Sequence, residues 1–571
     1  MQPILRLLIL TCTITMLAAC SHHGSDAPLA YVPANTPYVV ANLKPIDNAT
    51  AAIMLDPLNR SLPAQVNNLK SIADALDHDQ QKPFAQLSRA LANELDGKTA
   101  QQFASDVGMD MHGLGALYGV GLSPVWRLPL ADPAKFQAFI SRLETAYGKP
   151  LAQAKSGKFV YRHLQPTDTH VQLLLDIENQ QVVFAIAPAA ADQALIDRIL
   201  GVQRPEHSAE DTQLLKNLAK ANGYLSSTIG MLNIQRLPAM MDDPLFKAMI
   251  QEHDSVPIPS ACATDFARIT ARVPLLSFGY TQLSANHIAY RTDVALAPDI
   301  VKAFTAFKVP LPGFGSAMDA PLDYAMALPM PQLQSFWKAQ AAAVSAKPFT
   351  CPLLSKLNTG LPMLANVALP MLADLRGVRL SIDQITEAAS GSIPGIRGRL
   401  LIASTDPTAL LVKASSFVSD LGSLQLKADS QPVALPAPLT AMTRQPGWIA
   451  MNDKALAIGL GSGEGVKLTS MLTAATGNSD GVWFKAHMDG HLYSQYVTWM
   501  GHRVQTNLQQ AQAGQHGKID AKSQQKLAQI YARLQTSIDA AQAAAKQIKQ
   551  NRAEAHTGTH GLVITFSRDL R

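Results

Sequence analysis

Apolar residues recur along this chain in two rhythms, one of about 3.6 residues and one of two, and the changes of rhythm mark its elements. Thr36–Leu43 is β-branched and aromatic, which predicts a strand. From Ser61 to about Asp106 the rhythm is helical. Leu69, Ile72 and Leu76, then Phe84, Leu87, Leu91 and Leu95, recur at three- and four-residue spacing. Strands are expected around Leu117–Leu122 and Val125–Leu130, after a glycine-rich loop. Asp132-Pro133 then predicts a helix start, with Asp as N-cap and Pro at the first helical position. Phe136, Phe139, Ile140 and Leu143 give that helix an apolar face. Strands at Lys158–His163, Val171–Ile177 and Gln181–Ala187 and a helix at Ala190–Leu200 complete the first round.

The same order of elements returns. A strand begins at Gly223 and runs through Ile234, helices cover Leu237–Glu252 and Ala263–Ala271, and strands follow at Leu275–Gln282 and His287–Leu296. Pro298-Asp299 opens a helix. A third round begins at Leu322–Leu328, with helices around Phe336 and Leu353–Leu364, strands near Gly377–Ile385 and Arg397–Ala403, and a helix start at Asp406-Pro407. Ser423–Lys427, Gly447–Met451 and Ala455–Gly459 read as strands, before a helix from about Gly465 to Ala475. Gly481–Ala486 starts a fourth round, followed by Ala-, Gln- and Lys-rich helices at Gln505–Gln512 and Asp520–Gln550 and a terminal strand at Gly561–Phe566. The expected fold is α+β, in two related halves (residues 30–300 and 301–571). Each half holds a mixed or antiparallel sheet with packed helices, and the second adds a C-terminal helical hairpin at about 493–552.

At 571 residues the chain exceeds what one core sustains, which agrees with two halves. A formal charge of +5 with no basic cluster excludes a nucleic-acid footprint. Leu361–Leu380 comes nearest to a spanning segment, but Pro362, Pro370, Asp374, Arg376 and Arg379 interrupt it. The N-terminus changes the picture. Ile4–Met16 is an apolar run whose only charge is Arg6, and Leu17-Ala18-Ala19-Cys20 follows it. That pattern matches a bacterial lipobox, in which residues 1–19 are removed and Cys20 is diacylated. Residues 20–29 then form the lipidated cysteine and a polar tether. Ser21 after the lipidated cysteine points to the outer membrane, with the body facing the periplasm.

With Cys12 in the signal and Cys20 carrying lipid, Cys262 and Cys351 remain, and in an oxidising compartment they read as one structural disulfide. Two buried free thiols or a redox pair are the alternatives, although neither residue sits in Cys-x-x-Cys.

Candidate chemistry is sparse. Gly459-Leu460-Gly461-Ser462-Gly463-Glu464-Gly465 lies between a strand and a helix, but Glu464 occupies a dinucleotide glycine position and Leu468 follows Lys467, so neither phosphate-binding fingerprint is met. It reads as a turn. His487/His491 and His556/His560 each offer two ligands at four-residue spacing, without the third ligand or general base that a zinc centre needs. Ser523-Gln524-Gln525-Lys526 matches Ser-x-x-Lys without a Lys-Thr-Gly partner. Asp242/Asp243 and Glu206/Glu210 sit in polar contexts, where solvation is the ordinary explanation. No catalytic, cofactor or metal residue is assigned, and the chain leans towards a non-enzymatic role.

Cys20, Tyr31-Val32-Pro33-Ala34-Asn35-Thr36-Pro37-Tyr38, Tyr118-Gly119-Val120-Gly121-Leu122-Ser123-Pro124-Val125 and the Asp132-Pro133 helix together resemble a group of uncharacterised Gram-negative lipoproteins. Those proteins share a domain of unknown function opening with Pro-Ala-Asp/Asn-Thr. The resemblance implies an envelope location and brings no activity. The leading expectation is therefore an outer-membrane lipoprotein that binds a protein partner or envelope component. The alternative is a carrier of an apolar ligand, a lipid or acyl chain, in a cavity between sheet and helices. A concave apolar cavity separates the two. A hydrolase assembled from distant residues is a third class.

Overall fold

The computed structural model describes residues 26–76, 82–157, 159–166, 169–252, 259, 261–305, 313, 318, 320–366, 373–386, 395–441, 445–476, 482–515, 534–535, 538–539 and 541–571. Cys20, the signal segment and the Ser523–Lys526 motif lie outside them. The fold mixes helices with antiparallel sheet, and the chain divides into two compact units, Met1–Asp293 and Val294–Arg571.

In the first unit β1 (Tyr38–Ala41) leads to α1 (Asn48–Ala75), α2 (Lys82–Leu95) and α3 (Ala100–Asp106). Each start that carries a cap has its physical cause. Asp47 accepts from the Thr50 N–H at 2.7 Å, and Thr99 with Gln102 forms a reciprocal capping box. Next come β2 (Ala116–Val120), β3 (Ser123–Pro129) and α4 (Pro133–Tyr147). Asp132 caps α4 by accepting from Ala134 and Lys135, both at 3.0 Å, and Gly148 at φ 91° ends it. Strands β4 (Ala152–Ser156), β5 (Phe159–Leu164), β6 (Val171–Glu178) and β7 (Gln181–Pro188) precede helices α5 (Gln193–Leu200) and α6 (Leu214–Asn222). Strand β8 (Ile229–Leu232), helices α7 (Pro244–Glu252) and α8 (Ala261–Thr270), and strands β9 (Leu276–Ser284) and β10 (His287–Ala295) follow.

The antiparallel order is β4-β5-β6-β7-β3-β2-β1-β8-β9-β10. Strand alternation gives this sheet a core on each face. Trp126, Leu128, Leu175 and Val182 join the helical layer with Leu91, Phe103, Phe136 and Phe139. Val125, Leu174 and Val183 turn the other way, towards Tyr31, Ile196, Ile199 and Leu215.

The second unit has α9 (Pro298–Thr305), β11 (Leu322–Ala327), α10 (Met330–Ala346), α11 (Ser355–Asn366), β12 (Leu375–Thr386), β13 (Gly395–Ser404) and α12 (Pro407–Ser415). It continues with β14 (Val433–Ala434), α13 (Ala437–Ala441), β15 (Gly447–Met451), β16 (Ala455–Leu460) and α14 (Glu464–Thr473), then β17 (Val482–Asp489), α15 (Gly490–Gln515), β18 (Ile548–Thr557) and β19 (Gly561–Leu570). Its order is β14-β15-β16-β13-β12-β11-β17-β18-β19. Counted along the chain, and setting β4 aside, this is the first unit's order.

Four expectations change in detail. Ser423–Lys427 forms no strand, because 419–423 is a 3-10 turn and the pairing falls on Val433 and Ala434. The strand expected from Gly223 is confined to Ile229–Leu232, since Gly223 terminates α6 at φ 73°. The helix expected to Gln550 gives way by Ile548 to β18, which pairs on both sides with β17 and β19. Finally, residues 27–29 of the expected tether already pack on the body, with Pro28 buried in a 3-10 turn.

Candidate functional site: an apolar cavity in the first unit

Two helix stripes and three strands of the first unit enclose a void. From α2 come Phe84, Leu87, Leu91 and Leu95, and from α4 Phe136, Phe139, Ile140, Leu143 and Tyr147, with Phe103 of α3 beside them. The floor is Trp126 and Leu128 of β3, Leu173 and Leu175 of β6, and Val182 and Phe184 of β7. The cavity measures about 180 Å³, which is space for roughly six or seven heavy atoms. Edge-to-face aromatic pairs stiffen its wall, with centroids 5.5 Å apart for Phe84–Tyr147 and 5.8 Å for Phe103–Phe139.

Polarity is graded. Phe84, Leu91, Phe103, Trp126, Phe136, Phe139, Tyr147 and Leu175 are buried, whereas the charged lining residues Glu144 and Arg162, together with His163, are half-buried. The mouth therefore lies at β5 and the C-terminal half of α4. There the Arg162 Nε donates to Glu144 Oε1 at 3.3 Å, and the Leu151 N–H donates to the same oxygen at 3.1 Å. Inside, the Trp126 indole N–H is buried and has no acceptor among the described residues. Burial also pushes the Tyr147 hydroxyl above its ordinary range. An apolar space of this kind, open at a polar end, can hold a hydrocarbon chain.

The residues singled out from sequence lie elsewhere. His487 ends in β17, its ring nitrogens 3.0 Å from the Ala320 carbonyl and 3.2 Å from Gln550 Oε1, while His491 belongs to α15. The strand-to-helix junction at Asp489 and Gly490 separates them. His556 lies on β18 beside Glu554, and His560 sits in the following turn. Among the described residues no group of three or more His, Cys, Asp or Glu could hold a metal.

Asp243 serves structure, accepting from the Leu122 N–H at 3.0 Å and the Leu245 N–H at 2.9 Å. Glu464, expected in a mere turn, is only 1% exposed. Arg399 and Arg397 approach it at 3.5 and 3.8 Å and Lys467 at 2.9 Å, and Lys467 also pairs with Asp383. A second buried pair joins β11 to β12, with Arg379 Nε 2.9 Å from Asp323 Oδ1 and Nη2 2.6 Å from Oδ2. Cys262 and Cys351 are fully buried and disulfide-bonded. Among the described residues no helix is long and apolar enough to cross a membrane.

Both helix stripes were legible in the sequence, but the void between them was not, and neither was the pairing of Glu144 with Arg162. Arg162 alternates with Tyr161 and His163 in a strand, and nothing local signals that it faces a cavity. No family model matches the chain, nor does any curated protein or solved structure.

Proposed function

We propose that this protein is a lipid-anchored envelope carrier whose first unit holds a single apolar chain, a lipid or fatty acyl group. The cavity carries the reading. It is concave, it lies between sheet and helices, and its wall is almost wholly hydrocarbon, the arrangement that distinguishes a carrier from a filled partner-binding body. Anchoring through Cys20 after removal of residues 1–19 fits the packing of the first described residues. The Asp26 carboxylate pairs with Arg204 at 2.5 Å, its carbonyl accepts from Gln181 at 2.7 Å, and the Arg127 and Arg204 guanidiniums lie 3.6 and 4.3 Å from the Tyr31 ring centroid. The link from Cys20 to this clamp spans at most about 20 Å, so the body stays close to the bilayer that supplies its ligand. Ser21 supports an outer-membrane location facing the periplasm.

The shared order of strands supports a duplicated unit, in which the second copy and a helical hairpin built on α15 have taken another role. Docking of a protein partner fits that second unit, where Val412, Phe417 and Val418 expose 63%, 73% and 37% of their surface.

The test is displacement. The full chain in phosphatidylcholine vesicles, titrated with a brominated single-chain amphiphile, should show quenching of Trp126, the one tryptophan of residues 1–293. Ile140→Trp, which places an indole across the void, should abolish saturable binding. Undiminished binding by the filled variant would contradict the proposal.

A further inference from the structure

We infer that the chain held in this cavity carries an anionic head, and that Arg162 selects it; this rests on the carrier reading above. Three observations converge. First, the polar lining is confined to one end, so a bound amphiphile has one orientation, with its tail among Phe103, Phe136 and Phe139 and its head at Glu144, Arg162 and His163. Second, Arg162 is underused. Among the described residues only Nε–H of its five N–H donors has a hydrogen-bond partner, Glu144 at 3.3 Å, and Asp176 acts on the guanidinium from a distance without a bond, so both Nη groups are left to meet a planar carboxylate or a phosphate oxygen. Its side chain is 15% exposed, which screens it from bulk water and strengthens a charge-assisted bond. Third, Glu144 does not depend on Arg162 alone, because the Leu151 N–H also donates to it at 3.1 Å. An arriving anion can therefore share the guanidinium without leaving Glu144 bare. A cationic head would face the same guanidinium at close range and be disfavoured.

The volume adds a limit. Space for roughly six or seven heavy atoms accommodates one short chain, and a second acyl chain would stay outside. The ligand class is thus a single-chain amphiphile with a carboxylate or phosphate-monoester head, rather than an intact two-chain phospholipid.

6-Bromohexanoate and 6-bromohexanol share a tail and a heavy-atom quencher and differ in the head. With the full chain in phosphatidylcholine vesicles, both should quench the fluorescence that Trp126→Phe removes, the acid at roughly tenfold lower concentration. Arg162→Gln should bring the acid down to the level of the alcohol and leave the alcohol unchanged, which also reports an intact cavity. Glu144→Gln, which frees the guanidinium, should tighten the acid several-fold without affecting the alcohol. Hexyl phosphate in competition distinguishes the two anionic heads by its strength relative to hexanoate. Equal affinity for acid and alcohol in the unaltered chain, or loss of both ligands in both variants, would overturn the assignment. Quenching by neither compound would instead overturn the carrier reading itself, and this inference with it.

Discussion

Trp126, Leu128, Leu175 and Val182 carpet one face of the first unit's sheet, and the charged residues buried beside them in sequence, Arg127 and Asp176, alternate onto the other face, whereas the second unit, with the same strand order, buries the paired Asp323 and Arg379 and the cation-ringed Glu464. The contrast explains why one interior can be hollow. Dispersion and burial of hydrocarbon are non-directional, so a cluster of Phe and Leu tolerates a gap at a modest cost. Buried charges do not, since each needs its partner at hydrogen-bonding distance. Arg379 accordingly reaches Asp323 through two nitrogens, and the Ser381 hydroxyl donates to the same carboxylate at 3.1 Å. The second unit's interior is stitched by ion pairs, and the cavity face of the first unit's sheet is packed with hydrocarbon. A ligand cavity suits the packed one.

The largest expected effect breaks the stitching. Arg379→Met leaves Asp323 buried without its cation and should lower stability by about 3–5 kcal/mol in urea unfolding. Adding Asp323→Leu should restore most of that loss, because the pair can be exchanged for apolar contact.

Asp176, on the opposite face of the first unit's sheet, sharpens the comparison, because among the described residues it makes no salt bridge and Arg127 and Arg162 act on it only from a distance. Desolvation by burial raises its pKa to about 6. The folded protein therefore holds a proton that the unfolded chain has released. Stability falls as pH rises from about 4 to about 6, with the penalty complete above that. Asp176→Asn should stabilise the protein at pH 7 by up to about 3 kcal/mol and flatten that slope, as followed by thermal unfolding across the window.

Ile140→Trp should stabilise the ligand-free protein by about 1 kcal/mol by filling space, the opposite of a large-to-small core change. The smallest effect tests what the units share. Asp132 and Asp406 each cap the helix after the third strand of their unit, and Asp132→Ala and Asp406→Ala should each cost about 1 kcal/mol. Unequal losses would argue that the shared element order hides different local energetics.

Much of this organisation was legible from residues alone. The Asp132-Pro133 and Asp406-Pro407 starts, the α2 and α4 stripes and the oxidised Cys262 and Cys351 follow from local rules. What escaped depends on neighbours distant in sequence. Residues 548–557 contain Lys, Gln, Ala and Glu, good helix formers, and become β18 because β17 and β19 offer ladders on both sides. Glu464 looked like a loop carboxylate because its cations Arg397 and Arg399 come from β13, some sixty positions away. The void was invisible for a related reason, since a stripe announces a buried face and not how completely that face is filled.

The central claim is that the first unit carries a single hydrocarbon chain, and mass analysis tests it most directly. Solvent extraction of the full chain purified from its own envelope should release one single-chain amphiphile per protein, and the Ile140→Trp variant should release none. Recovery of no amphiphile from the unaltered chain, or the same yield from both, would contradict the account.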